Sequence, residues 1–172
     1  MKHVLAILVE NKSGVLARVA GLFSRRGFNI DSITVGETTE PGISRMTITL
    51  EGDEAVVEQV MKQLNKLINV LKVSNLSQEP AVMRELMLIK VRAEPHTRSD
   101  IQQIVETFRG KVVDVSLNSM IIEVTGNDEK LEAIVLLLQH YGIREIVRTG
   151  NIALLRGAKV TRENGEARRS KG

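Results

Sequence analysis

Apolar and polar positions alternate with period two, then with period 3.6, then with period two again, and this rhythm runs through the chain twice. The first pass opens on the apolar run Val4-Leu5-Ala6-Ile7-Leu8-Val9, a strand over about residues 3–10. A helix is predicted from about Val15 to Arg26, with Val15, Leu16, Val19, Leu22 and Phe23 on one face. Asn11 or Ser13 is expected to cap its start, and Gly27 sits at the C′ position behind Arg25 and Arg26. A second strand at about 28–37 carries Phe28, Ile30, Ile33 and Val35. The turn composition of residues 38–42 leads into a third strand, where Met46, Ile48 and Leu50 alternate with Thr47, Thr49 and Glu51. Gly52-Asp53-Glu54 opens a second helix, about 54–68, with Val57, Val60, Leu64 and Ile68 in its apolar stripe. A fourth strand follows at 70–76.

Residues 78–84, with Pro80, read as a linker. The same order then returns. Leu86 to Val91 is a strand, Ser99-Asp100 precedes a helix stopped at Gly110, and Val112–Val115 and Met120–Val124 form a hairpin. Gly126-Asn127-Asp128-Glu129 opens another helix, and Ile143–Val147 closes the unit. The punctuation repeats as well: Gly27 and Asp31 have counterparts in Gly110 and Asp114, and Gly52-Asp53-Glu54 in Gly126-Asn127-Asp128-Glu129. The expected fold is α+β, two tandem ferredoxin-like βαββαβ units, each with its helices on one face of an antiparallel sheet. The boundaries read as 1–77 for the first unit, 85–156 for the second and 157–172 for a tail. The face of each sheet opposite its helices still carries apolar side chains. A two-fold dimer through strand edges or sheet faces is therefore expected.

Composition changes this picture in three ways. A hydrophobic content of 42% in 172 residues suffices for packed cores and excludes a disordered chain. No apolar run approaches the roughly 20 residues of a membrane helix, and Met1-Lys2-His3-Val4 runs straight into a strand without a signal-peptide cleavage site. With no Cys, thiolate catalysis, disulfides and Cys-based metal sites are excluded, and a cytoplasmic location is the default expectation. The net charge of +3 is unevenly placed. Six basic and two acidic residues lie from Arg156 to Gly172, so residues 1–155 carry −1. The basicity belongs to a polar tail, read as solvated, rather than to a nucleic-acid surface.

Catalytic groupings do not emerge. His3, His96 and His140 sit at a terminus, in a loop and at a helix end, without metal-ligand or triad spacing. There is no GxGxxG and no Walker A sequence. RNA-binding modules of the same topology stack bases on aromatic residues of the central strands, yet strand three has none. Neither catalytic nor metal-binding residues are assigned, and no nucleic acid or membrane is expected as a partner.

One turn does carry binding chemistry. In Asn11-Lys12-Ser13-Gly14 a glycine lets the backbone approach a ligand at a helix N-terminus. The N–H groups of Gly14, Val15 and Leu16 are candidates to hold a carboxylate. Asn11 and Asn29 offer amide groups to both ends of a zwitterion, and Val15, Leu16 and Ile30 can border an aliphatic side chain. The set fits a small aliphatic amino acid. The plain alternative is a capped helix with two turn-forming Asn residues. The counterpart in the second unit, Glu94-Pro95-His96-Thr97, lacks the glycine turn.

Three runs, Val9-Glu10-Asn11-Lys12-Ser13-Gly14-Val15-Leu16-Ala17-Arg18-Val19, Leu22 to Ser32 and Ser44-Arg45-Met46-Thr47, resemble the regulatory (small) subunits of acetolactate synthase, or acetohydroxyacid synthase. Val70-Leu71-Lys72-Val73, Arg84 to Val91 and Phe108-Arg109-Gly110 also fit, so the likeness extends to about Arg156. The Asn-x-x-Gly turn by itself marks only the wider ACT-domain family of amino-acid sensors. The resemblance implies that the first unit is an ACT domain in a homodimer, with effector sites between subunits. Asn11, Gly14, Val15 and Leu16 would bind the effector, with Asn29 and Ile30 supplied across the interface. The effector would be a branched-chain amino acid, usually valine, acting by feedback inhibition. The partner would be a separate catalytic subunit of branched-chain amino acid biosynthesis, made more active by this chain. Thiamine diphosphate, Mg²⁺ and FAD would belong to that partner, and this chain would hold no cofactor. A stand-alone ACT-domain amino-acid regulator without a synthase partner is the alternative.

Overall fold

The computed structural model describes residues 1–161, and the part of the expected tail over residues 162–172 lies outside the described residues. The element order is β1 (Lys2–Glu10), α1 (Val15–Arg26), β2 (Ile30–Glu37), β3 (Ile43–Glu51), α2 (Glu54–Asn65) and β4 (Val70–Asn75). A 3₁₀ turn (Leu76–Gln78) follows, then β5 (Ala81–Arg92), α3 (Arg98–Thr107), β6 (Lys111–Val115), β7 (Ser119–Gly126), α4 (Asp128–Gln139), β8 (Ile143–Arg148) and β9 (Ile152–Leu155). Two compact units result: residues 1–82 together with residues 151–161, and residues 83–150.

The first unit holds an antiparallel sheet of order β2-β3-β1-β4. Odd positions of β1 and even positions of β3 face the helices. Leu5, Ile7 and Val9 meet Met46, Ile48 and Leu50 beneath Val19, Leu22 and Phe23 of α1 and Val57, Val60 and Leu64 of α2. Each such side chain contributes about 1.5–3 kcal/mol by leaving water. Phe28 packs edge-on against Phe23, ring centroids 6.4 Å apart, just past the Gly27 C-cap. Asp53 caps α2 by accepting the Val56 N–H at 2.9 Å.

The second unit repeats this plan with order β6-β7-β5-β8, and β9 pairs with β5 off that path. Its core joins Met87, Ile89 and Val91 to Ile122 and Val124 under Ile101, Val105, Leu131, Ile134 and Leu138. Asn127 caps α4 through the Lys130 N–H, as Asp53 caps α2. Buried Glu85 accepts from Arg148 Nη2 at 2.7 Å and from the Gly150 N–H at 3.0 Å.

Four local expectations are corrected. The second helix stops at Asn65 rather than near 68, because Leu64 and Gln63 carbonyls turn back to accept the Leu67 and Lys66 N–H groups; Ile68 is 71% exposed. The expected linker at 78–84 is already strand from Ala81. Residues 151–156 cluster by their contacts with the first unit, although β9 pairs with β5. The Thr34 hydroxyl donates to the Asn151 carbonyl at 3.2 Å, Arg45 Nη2 to the Ala153 carbonyl at 2.7 Å, and the Arg156 N–H to the Pro80 carbonyl at 2.9 Å. Thr34 and Arg45 project from the sheet face away from the helices, so β9 lies over the face that the sequence left for a dimer partner. His3, expected as a terminal residue, is a buried strand position whose two ring nitrogens have no hydrogen-bond partner among the described residues.

Candidate functional site

The turn after β1 is anchored on both sides. Glu10 N–H donates to the Asn69 carbonyl at 2.9 Å, Asn11 N–H to the Gly42 carbonyl at 2.8 Å, and Lys12 N–H to the Glu10 carbonyl at 2.9 Å. Gly14 follows in the left-handed region, φ 84° and ψ −8°, as the N-cap of α1. That conformation costs an ordinary L-residue roughly 1–2 kcal/mol. A Cβ built there meets nothing within 4 Å, so the space above the turn is open.

Neither Asn11 nor Ser13 caps the helix, which corrects the sequence expectation; α1 has no side-chain cap. The positive φ carries the chain into the helix before either side chain comes into range. Asn11 Nδ2 instead points toward Glu37 Oε1, 3.5 Å away. Val15 N–H donates to the Lys12 carbonyl at a long 3.4 Å, and the Gly14 carbonyl accepts the Arg18 N–H at 3.1 Å. The N–H groups of Gly14, Leu16 and Ala17 have no acceptor among the described residues. These are the orphan donors of a helix start, carrying the positive end of its dipole.

The Glu10 carboxylate is held by Lys12 Nζ at 2.9 Å and by Asn69 Nδ2 at 3.0 Å. The hydrogen bond from Lys12, then that from Asn69, keeps its carboxyl below the usual carboxylate range. Arg18 bonds through Nη1 to Asn69 Oδ1. Glu10, Asn69 and Arg18 therefore brace the turn, a set the sequence reading missed. Arg18, one helical turn beyond Gly14, was the available signal, whereas Asn69 is far away in sequence.

The other predicted residues divide into three kinds. Val15 is 3% exposed and packs into the core, so it presents main chain rather than an aliphatic wall. Leu16 is 48% exposed beside the turn. Asn29 is exposed, and Ile30 is half-buried against the core.

The register shows which of these meet. Glu10 pairs with Ile43 and Glu37 with Ser44, so the turn and the end of β2 lie at one end of the sheet. Ile30 and His3 both pair with Leu50, at the opposite end. Seven residues separate Ile30 from Glu37, about 23 Å of strand at roughly 3.3 Å per residue. One chain does not bring Asn29 and Ile30 to its own Gly14 turn. However, β2 is an edge strand of its sheet, open to pairing.

The corresponding turn of the second unit is closed on itself. Thr97 Oγ1 accepts the Glu94 N–H at 3.0 Å and donates to the Glu94 carbonyl at 3.1 Å; that carbonyl also accepts the Thr97 and Arg98 N–H groups. Among the described residues no group of three or more His, Asp or Glu is placed to hold a metal, and no helix is long and apolar enough to cross a membrane.

Comparison with known proteins adds family membership to this geometry. Residues 5–72 match the family model described as the small-subunit-like ACT domain of acetohydroxyacid synthase, and residues 84–157 the model described as the small subunit of acetolactate synthase. The chain is 58% identical over 159 residues to a probable acetolactate synthase small subunit of Archaeoglobus fulgidus, covering 92% of this chain and 99% of that one. It is 54% identical over 157 residues to the acetolactate synthase small subunit of Mycolicibacterium smegmatis, covering 91% and 92%. The crystal structure of the acetolactate synthase small subunit from Thermotoga maritima superposes with a TM-score of 0.83 at 47% identity, over 92% of this chain and 99% of that one.

Proposed function

Because the chain belongs to the acetolactate synthase small-subunit family, we propose that it is the regulatory subunit that gives a separate catalytic subunit its activation and its feedback inhibition by a branched-chain amino acid, valine first. Catalysis, with its thiamine diphosphate, Mg²⁺ and FAD, belongs to that partner. This chain senses, and its first unit, residues 1–82 with β9, is the sensing one.

The observation that carries this reading is the pairing of an uncapped helix start at a left-handed Gly14 with an open β2 edge. Two copies related by a two-fold axis pair β2 with β2 antiparallel. The start of one β2 then lies beside the end of the other, and so beside the other's turn. Asn29 and Ile30 of the second copy complete the site that Asn11, Gly14 and Leu16 begin. The effector's carboxylate takes the N–H groups of Gly14, Leu16 and Ala17, assisted by the helix dipole. Its ammonium takes the side-chain carbonyl oxygens of Asn11 and the second copy's Asn29. Its branched side chain lies between Leu16 and the second copy's Ile30. The bound ligand favours one arrangement of the pair, and a coupling of about 1–3 kcal/mol to the catalytic subunit suffices for regulation.

Mixed dimers test this. A Gly14→Asp chain combined with an Asn29→Ala chain puts both lesions into one site and leaves the other intact. Calorimetry with valine should give one site per mixed dimer and none in either homodimer. If the mixed dimer has no site at all, each chain completes its own turn and the arrangement is refuted.

A further inference from the structure

A cavity of about 780 Å³ opens in the first unit between the loop at residues 37–41, the sheet face away from the helices and the segment after β9. It lies across the sheet from the helix start at Gly14. Its apolar wall is made by Leu8, Ile43, Leu154 and Leu155. Its volume falls in the range of small-molecule sites.

Arg45 lines this cavity from β3. Its side chain is half-buried, and Nη2 donates to the Ala153 carbonyl at 2.7 Å. No carboxylate pairs with it among the described residues, whereas Lys159 on the same wall is neutralised by Glu79. A guanidinium has five donors in a planar fork suited to a carboxylate. Burial without a counter-charge lowers its proton affinity. A partly desolvated cation that faces an open cavity is a receptor for an anion.

The surroundings limit which anion. Glu37 stands at the mouth and opposes phosphates and other polyanions. Beyond Arg45 the lining mixes aliphatic side chains with Thr38, Thr39 and Thr161 and holds no aromatic ring for stacking. We propose that this cavity is a second ligand site, separate from the Gly14 turn, which takes a small aliphatic monocarboxylate with its head on Arg45 and its tail on Leu8, Ile43, Leu154 and Leu155.

The test is titration calorimetry of the full chain with 3-methylbutanoate, with 3-methylbutylamine as the cation of matching shape. The carboxylate should bind the wild type and the Gly14→Asp variant equally, and the amine should not bind. Arg45→Gln retains a donor for the Ala153 carbonyl but loses the charge, and should weaken binding at least tenfold. Leu154 is 67% exposed, so Leu154→Glu leaves the core untouched while placing an anion on the wall. It should weaken binding similarly, and it serves if Arg45→Gln fails to fold. Absence of saturable carboxylate binding overturns the proposal. Equal binding of the amine, or full affinity in both variants, does the same.

Discussion

Replacing Gly14 by Asp separates the stability of the turn from its ligand chemistry. The residue sits at φ 84°, so a side chain there costs roughly 1–2 kcal/mol of backbone strain. Nothing lies within 4 Å of the new Cβ, so no packing term adds to it. A carboxylate at a helix start recovers about 0.3–1 kcal/mol. The net loss should be on the order of 1 kcal/mol, or about 2–4 °C in melting temperature for a chain of this size. Effector binding should suffer far more. The new carboxylate would stand about 4 Å from that of the effector, where like charges repel by roughly 4 kcal/mol at an effective dielectric of 20. That corresponds to an affinity loss of about a thousandfold. Melting with and without valine reads both effects. At a hundred times its dissociation constant, valine should stabilise the wild type by about 2.7 kcal/mol, and the variant by less than about 0.1 kcal/mol at the same concentration. A Gly14→Ala control, which adds strain without charge, should retain part of the shift. If Gly14→Asp keeps even half of the wild-type shift, the carboxylate does not sit on this helix start.

Two further outcomes concern the scaffold. Arg148→Met leaves the 4%-exposed Glu85 with the Gly150 N–H but without its cation; because Arg148 is itself 43% exposed, the loss should be about 2–4 kcal/mol, below that for a fully buried pair. Urea denaturation checks it, and adding Glu85→Gln should recover most of the loss; no recovery would show that the ion pair is not the cause. The lowered Glu10 carboxyl contributes stability that is present above its unfolded value and is lost as pH falls through its folded value. Glu10→Gln should accordingly flatten the acid limb of a stability profile as pH falls below the ordinary carboxylate value of about 4.3; an unchanged limb would remove Glu10 from the bracing of the turn.

The sequence made legible whatever is governed by local periodicity. The alternation of Met46, Ile48 and Leu50 and the stripe of Val57, Val60 and Leu64 record which side is buried, and they placed both sheets and their helices. The glycine of the turn was legible because a positive φ restricts residue type. Features set by distant contacts were hidden. Asn69 reaches Glu10 and Arg18 across more than fifty residues of chain. Val15 carries the same hydrophobic signal whether it lines a pocket or fills a core. β9 pairs with β5 but is held to the first unit through main-chain carbonyls that Thr34 and Arg45 recognise, and a carbonyl leaves no trace in residue identity.

That returning strand also bears on how the protein is made. During translation residues 1–82 leave the ribosome well before residue 151, and the whole of the other unit is synthesised in between. N-terminal units generally fold first, so Thr34 and Arg45 of this one meet water rather than β9 carbonyls until residues 151–155 arrive. A fragment cut after residue 82 would stay in that unfinished condition permanently. A faithful minimal sensor would instead splice residue 82 to residue 151 through a short linker and dispense with everything between.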